Sequence, residues 1–186
     1  MTDSAELDRF LAGVERRAYL QARFAVQEEA AALDVVQDAM IKLVTNYRER
    51  LPGEWPLLFQ RILQNTIKDY YRRQKVKNAW QVALSTLGLG DSHDGDEDTV
   101  EYDPPGEEDD DPAVRLAQRQ RLAIIEKCLH ALPLRQRQAF LLRYWEGMDT
   151  AQAAEAMGCT EGSVKTHCSR AVAALGKALA SYGIEL

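Results

Sequence analysis

Lys165, Thr166, His167, Ser169 and Arg170 cluster near the C-terminal end of the chain. Side chains of these types, standing on one face, donate hydrogen bonds to base edges and neutralise phosphates. A second cationic set lies earlier. Residues 60–80 hold six basic residues and one acidic residue, with Tyr70, Tyr71 and Trp80 interleaved. Cations there suit a phosphate backbone, and exposed aromatic faces stack on unpaired bases. Chemistry of other kinds finds little support. Cys159, His167 and Cys168 match no zinc-finger spacing, and the sequence has no nucleotide-binding loop and no nucleophile–base pair. No catalytic residue, cofactor or metal is therefore assigned.

The cationic cluster needs an element to carry it. Residues 149–179 read as two short helices around a tight break. Thr150 is a candidate N-cap of the first, and Ala153, Ala154 and Met157 form its apolar side. Gly158 stands where a helix end favours positive φ, and Thr160 can cap the second helix, with Glu161 in its first turn. In the second helix Val164, Cys168, Ala171, Val172, Leu175 and Leu179 share one stripe, while Lys165, Thr166, Ser169 and Arg170 share another. A packed back and a small, basic, hydrogen-bonding front fit a DNA major groove, which is the helix-turn-helix pattern. An ordinary αα-hairpin with a solvated face has the same periodicity and stays open on this stretch alone.

The overall charge argues the other way at first sight. The chain has 186 residues, a net charge of −6 and a pI near 5.2. An acidic pI is unexpected for a nucleic-acid binder. Yet residues 91–111 contain twelve acidic residues and no Lys or Arg, and without them the chain carries +6. The acidity belongs to one segment, and the remainder is basic. Hydrophobic residues make up 46% of the chain, with no run long enough to span a membrane and no signal-peptide pattern at the N-terminus, which predicts a cytoplasmic protein. The three cysteines are read as reduced and packed, Cys168 on its apolar stripe above all.

Periodicity predicts helices over residues 4–24 and 29–47. The second has an apolar side of Leu33, Val36, Met40, Leu43 and Tyr47; opposite lie Asp34, Gln37, Asp38, Ile41, Lys42 and Thr45. A loop over residues 48–56, holding Arg48, Arg50 and Trp55, leads to a third helix from residue 57 to beyond 73. There Phe59, Ile62, Leu63, Thr66 and Tyr70 face inward, leaving Arg61, Gln64, Asn65, Lys68, Arg72 and Arg73 outside; Tyr71 fits either side. Glycines, prolines and self-repelling acids mark residues 82–112 as a flexible spacer. A long helix then ends at Leu132, Pro133 opens another, and the dense segment Phe140, Leu141, Leu142, Tyr144 and Trp145 precedes Gly147. The expected fold is all-α: two small helical domains, residues 1–81 and 113–186, joined by the acidic linker 82–112, the second domain a helix-turn-helix.

Taken together, DVVQDAMIKL, WPLLFQRILQNTIKDYYRR and ALPLRQRQAFLLRYWEGMDTAQAAEAMGCTEGSVKTHCSRAVAAL resemble the bacterial RNA polymerase sigma factors of the extracytoplasmic-function type, group 4 of the sigma-70 family. The resemblance covers nearly all of the chain except the acidic linker. It implies a promoter-specificity subunit that directs core RNA polymerase to −10 and −35 elements and assists melting. Asp34, Gln37, Asp38 and Lys42 would contact the β′ coiled coil, with the β subunit a further partner. Arg61, Asn65, Lys68, Arg72 and Arg73 would engage the −10 element, and the loop carrying Arg48 and Trp55 would capture a flipped base. Lys165, Thr166, His167, Ser169 and Arg170 would contact the −35 element. The resemblance further implies an anti-sigma partner, often membrane-bound in the family. His167 stands where the family often has Arg, a weaker contact at neutral pH. The alternatives are a stand-alone helix-turn-helix regulator, and a metal-dependent phosphohydrolase or nuclease using the acidic run.

Overall fold

The computed structural model describes residues 4–26, 28–86 and 112–184, and among them every regular element is helical. Helices α1 (Ser4–Val26), α2 (Glu29–Tyr47) and α3 (Trp55–Thr86) form the first bundle, with a short 3₁₀ turn, Pro52–Glu54, before α3. Helices α4 (Pro112–His130), α5 (Leu134–Phe140), α6 (Thr150–Met157) and α7 (Glu161–Ala180) form the second. From Leu141 to Trp145 the chain continues α5 as a wider π-helical turn, Glu146 N–H donating to the Leu141 carbonyl at 2.9 Å. The spacer expected over 82–112 begins later and ends earlier than its composition suggests, since α3 stays helical to Thr86 and Pro112 opens α4; residues 87–111, with the acidic run, lie outside the described residues.

The first core is built on small residues that let the helices approach. Ala18, Ala22, Ala32 and Ala39 are almost fully buried between α1 and α2, and Leu43, Trp55, Phe59, Leu63 and Ile67 fill the space against α3. Trp55 is the largest correction to the sequence reading. Placed in a base-capturing loop, it is instead 1% exposed in the first turn of α3, 5.8 Å from the ring of Phe10. An indole this size contributes most to stability when it leaves water. In this structure it is core, and no base can reach it.

The second bundle has two apolar clusters. One joins Ala139, Leu142, Met148, Ala153, Met157, Val164 and Cys168; the other joins Cys128, Leu129, Leu132, Ala171, Leu175 and Leu179. Leu116 and Leu122 of α4 are exposed, and so are three residues expected inside: Tyr144, Trp145 and Val172. The π turn is the reason for Tyr144 and Trp145, because it rotates them out of the register that a continuous α-helix would give.

The two bundles pack against each other, α3 on α6 and α1 on α4 and α5. Phe24 of α1 packs into the second bundle, its ring edge-on to Trp145 at 6.1 Å, and Leu134 of α5 packs against the first core. Arg23 pairs with Glu126 at 3.3 Å, and Arg17 reaches Glu146 at 3.7 Å and the Trp145 carbonyl at 2.6 Å.

Candidate nucleic-acid interface

The helix-turn-helix is assembled by its caps. Asp149, and not the expected Thr150, is the N-cap of α6: its carboxylate accepts from Gln152 N–H at 2.8 Å, and the Gln152 side chain accepts from Asp149 N–H at 3.0 Å. Asp149 is favoured because it has the extended backbone a cap requires, while Thr150 is already helical. Gly158 ends α6 at φ 63°, the left-handed conformation in which a Cβ would be strained. Thr160 caps α7, accepting from Ser163 N–H at 3.2 Å. These caps turn the chain between α6 and α7 within three residues.

On α7, Lys165, Thr166, Ser169 and Arg170 are all exposed, and Val164, Cys168, Ala171 and Leu175 are buried behind them. The Thr166 hydroxyl donates to the Gly162 carbonyl at 2.9 Å, which leaves its oxygen able to accept. His167 differs from its neighbours. It is half-buried at the edge of the face, with an unpartnered, buried Nδ1. Burial raises the Cys168 thiol pKa above its usual range, as a packed cysteine requires. All three cysteines are free thiols.

The basic face of α3 is divided. Arg72 and Arg73 are exposed, Arg72 paired with Asp69 at 3.2 Å, and Asn65 is exposed beside them. Leu57, Arg61, Gln64 and Lys68, spaced at four, three and four residues, form a stripe that meets the second bundle. Leu57 packs on the α6 cluster, and Arg61 pairs with Glu155 at 3.9 Å. Lys68 Nζ donates to the Met157 carbonyl at 2.7 Å. Gln64, expected outside, is 1% exposed because it lies inside this stripe. Burial, then the nearby Arg135 cation, lowers the Lys68 pKa. Tyr71 resolves to a packed position, its hydroxyl donating to the Ala25 carbonyl.

Arg48 is exposed at the end of α2, and Asp34, Gln37 and Asp38 are exposed along it. Lys42 is half-buried and donates to the Thr66 hydroxyl at 3.2 Å, tying α2 to α3. Leu33, Ile41 and Val44 are exposed on the same side at 46%, 62% and 36%, although Leu33 was expected inside. Beside them a groove of about 320 Å³ runs between α1 and α2, lined by Tyr19, Leu33, Val36, Gln37 and Met40 among others. The sequence signal for this surface was Ile41 alone; Leu33 and Val44 fall at helical spacing to it.

The residue that sequence reasoning missed altogether is Arg137. It is 4% exposed, and its guanidinium donates to four carbonyls: Phe24 and Ala25 at 2.7 Å, His130 at 2.8 Å and Leu132 at 3.0 Å. The last carbonyls of a helix have no partner in their own helix, and here one side chain serves the ends of both α1 and α4. Burial lowers its pKa from the usual arginine value. Its sequence neighbours, Arg135, Gln136 and Gln138, are polar, so nothing in the local sequence marked it as buried.

Among the described residues no group of acidic, histidine and cysteine side chains could hold a metal, and no helix is long and apolar enough to cross a membrane. Known proteins resemble this chain in sequence and in fold. The Sigma-70, region 4 family matches residues 122–175, the segment that carries the caps and the α7 face. An RNA polymerase sigma-E factor of Streptomyces avermitilis is 26% identical over 168 residues, covering 88% of this chain and 79% of that one. A sigma-E factor of Streptomyces coelicolor is 24% identical over 100% of this chain and 92% of its own length. In fold, the chain is similar to the sigma factor RpoE of Bartonella quintana, solved in complex with the anti-sigma factor NepR, at a TM-score of 0.63, with 22% identity, 92% of this chain and 95% of that chain covered. The chain is thus similar along its length to two sigma-E factors, is folded like a third sigma factor, and matches the Sigma-70, region 4 family over its helix-turn-helix.

Proposed function

We propose that this chain is the promoter-specificity subunit of an RNA polymerase, acting through recognition and without chemistry of its own. The observation that carries the reading is the exposed row Lys165, Thr166, Ser169 and Arg170 on a capped helix-turn-helix, in a chain that also bears a second basic helix. The α7 row would read −35 duplex, with His167 contributing from the edge. Arg61, Asn65, Lys68, Arg72 and Arg73 would hold the −10 strand, assisted by Arg48, and core polymerase would supply all of the bond-making. Residues 1–81 and 113–186 would be the two promoter-reading units, with 82–112 between them. Asp34, Gln37 and Asp38, beside the exposed Leu33, Ile41 and Val44, have the mixed acidic and apolar character of a partner surface and suit the β′ coiled coil. Lys42, held by Thr66, would stiffen that surface as well as contribute to it. Regulation by an anti-sigma protein fits the NepR complex of the Bartonella quintana relative, and cytoplasmic residence follows from binding polymerase and DNA.

The test is capture of core polymerase by the chain, followed by run-off transcription from a promoter library. Core binding and promoter-dependent transcripts are expected. Absence of core binding at low salt, with duplex DNA binding retained, would make the chain a stand-alone regulator instead.

A further inference from the structure

Helix α3 extends past the bundle that packs it. Ile67 is its last buried residue, and Gln74, which donates to the Tyr70 hydroxyl at 2.9 Å, is half-buried. From Lys75 to Ala79 every side chain is exposed. This tail is cationic. Arg72, Arg73, Lys75 and Lys77 fall within six residues, and no acidic residue follows Asp69 in the sequence until Asp91. Arg72 has Asp69 at 3.2 Å, but among the described residues no carboxylate pairs with Arg73, Lys75 or Lys77. Arg72 and Lys75 stand three residues apart, and Arg73 and Lys77 four, so like charges face each other on adjacent turns. That repulsion disfavours a helix which no packing supports. A partner carrying a row of negative charge removes the cost.

The arrangement favours a nucleic-acid backbone over unpaired bases. Residues 72–79 include no aromatic side chain, and Tyr70 and Tyr71 before them pack against the first core, so the tail offers no face on which a base could stack. Lys75 continues the proposed −10 row of Asn65, Lys68 and Arg72, at steps of three, four and three residues. From Asn65 to Lys75 the helix rises about 15 Å, roughly four base steps of duplex. Arg73 and Lys77 lie on the adjoining side, which widens the cationic surface into an arc able to meet the phosphate rows on both borders of a groove. We infer that the tail of α3, through Lys75 and Lys77, holds the phosphate backbone of duplex DNA flanking the −10 element, independently of base sequence. The inference rests on the proposed −10 role of α3 and extends it to two residues which that reading leaves without a task. Both lysines are exposed in the free chain, so the contact needs no rearrangement of the bundles.

Lys75→Gln combined with Lys77→Gln removes both charges and keeps side chains that favour a helix. Arg9→Gln combined with Lys127→Gln, exposed on α1 and α4, removes two charges elsewhere as a control. For each full-length chain, circular dichroism checks the fold. Fluorescence anisotropy then measures affinity for a labelled, promoter-free, mixed-sequence duplex between about 50 and 200 mM salt. Each phosphate contact adds about 0.9 to the slope of log affinity against log salt. Losing two should make the slope shallower by about 1.8, so the advantage of the wild type over the tail variant should shrink roughly tenfold across that range. The control should keep the wild-type slope. A tail variant with the wild-type slope would overturn the inference. So would an equal change in the control, which would assign the effect to net charge alone. A larger loss on the unpaired strand of the same sequence than on the duplex would also overturn it, by making the tail a single-strand contact. The assay holds no promoter and no polymerase, so failed capture of core polymerase, which would end the sigma reading, leaves its result standing.

Discussion

Replacing Arg137 by Met tests the account of how the bundles are joined. Met is similar in length and unbranched, so the substitution leaves little cavity and removes chiefly the hydrogen bonds. Four carbonyls lose a donor, but they do not lose equally. Ala25 keeps the Tyr71 hydroxyl, so three carbonyls, those of Phe24, His130 and Leu132, are left unpaired. An unpaired buried polar group costs about 1–3 kcal/mol. The gross cost is offset in part by the desolvation that a buried guanidinium no longer suffers, and by water reaching Phe24 if the bundles separate. The expected net loss is about 3–5 kcal/mol, a large share of the roughly 5–15 kcal/mol that holds a typical domain folded. Arg137→Lys should fall between, because an ammonium is a point donor and cannot span carbonyls on two helices. Urea unfolding followed by circular dichroism measures both. If Arg137→Met lies within about 1 kcal/mol of the wild type, the hydrogen bonds are not what holds the junction, and the reasoning fails.

Other substitutions probe the remaining links. Asp149→Ala removes the carboxylate half of the capping box of α6, leaving the backbone N–H at 149 to donate to Gln152, and should cost about 1 kcal/mol in the same unfolding assay; Thr150→Val should cost less, which separates the true cap from its neighbour. Glu126 has its pKa lowered below 4.5 by the His130 hydrogen bond, against burial, with Arg23 also helping. A depressed carboxyl pKa adds stability above the unfolded value and loses it as pH falls through the folded one, so wild-type stability should decline below about pH 4.5. Glu126→Gln should lack that part of the acid slope in urea titrations run at stepped pH. Arg170→Ala should reduce discrimination at one −35 base pair by roughly 1–3 kcal/mol if the side chain reads a base; an equal loss on every duplex would make it a phosphate contact. Asp38→Arg should abolish capture of core polymerase with the helical content unchanged, and unaltered capture would remove Asp38 from the partner surface.

The parts of the site that proved legible are those written in local chemistry. The α7 face follows from helical spacing, and the Gly158 and Thr160 ends follow from backbone preference and side-chain reach. The acidic run explained why a basic pair of bundles has a low pI. The sequence misplaced residues wherever a second bundle or an altered helical pitch decided the outcome. Leu33 and Gln64 sit at helical positions that periodicity assigned to the wrong side, because periodicity identifies a face without identifying what covers it. Tyr144 and Trp145 were assigned to the core on an α-helical register that the π turn interrupts.

By itself, then, the sequence determined which segments are helical, where the helix-turn-helix breaks, and which polar and basic residues share the outer face of α7. Those properties depend on caps, turns and 3.6-residue periodicity, all of which act within a few residues of chain. Only the tertiary structure decided that Trp55 is core, that Arg137 joins α1 to α4, and that Lys68 donates to the end of α6. Each of those depends on groups brought together from distant parts of the chain. A lone arginine or tryptophan carries no local mark of whether a carbonyl, a ring or a phosphate will meet it.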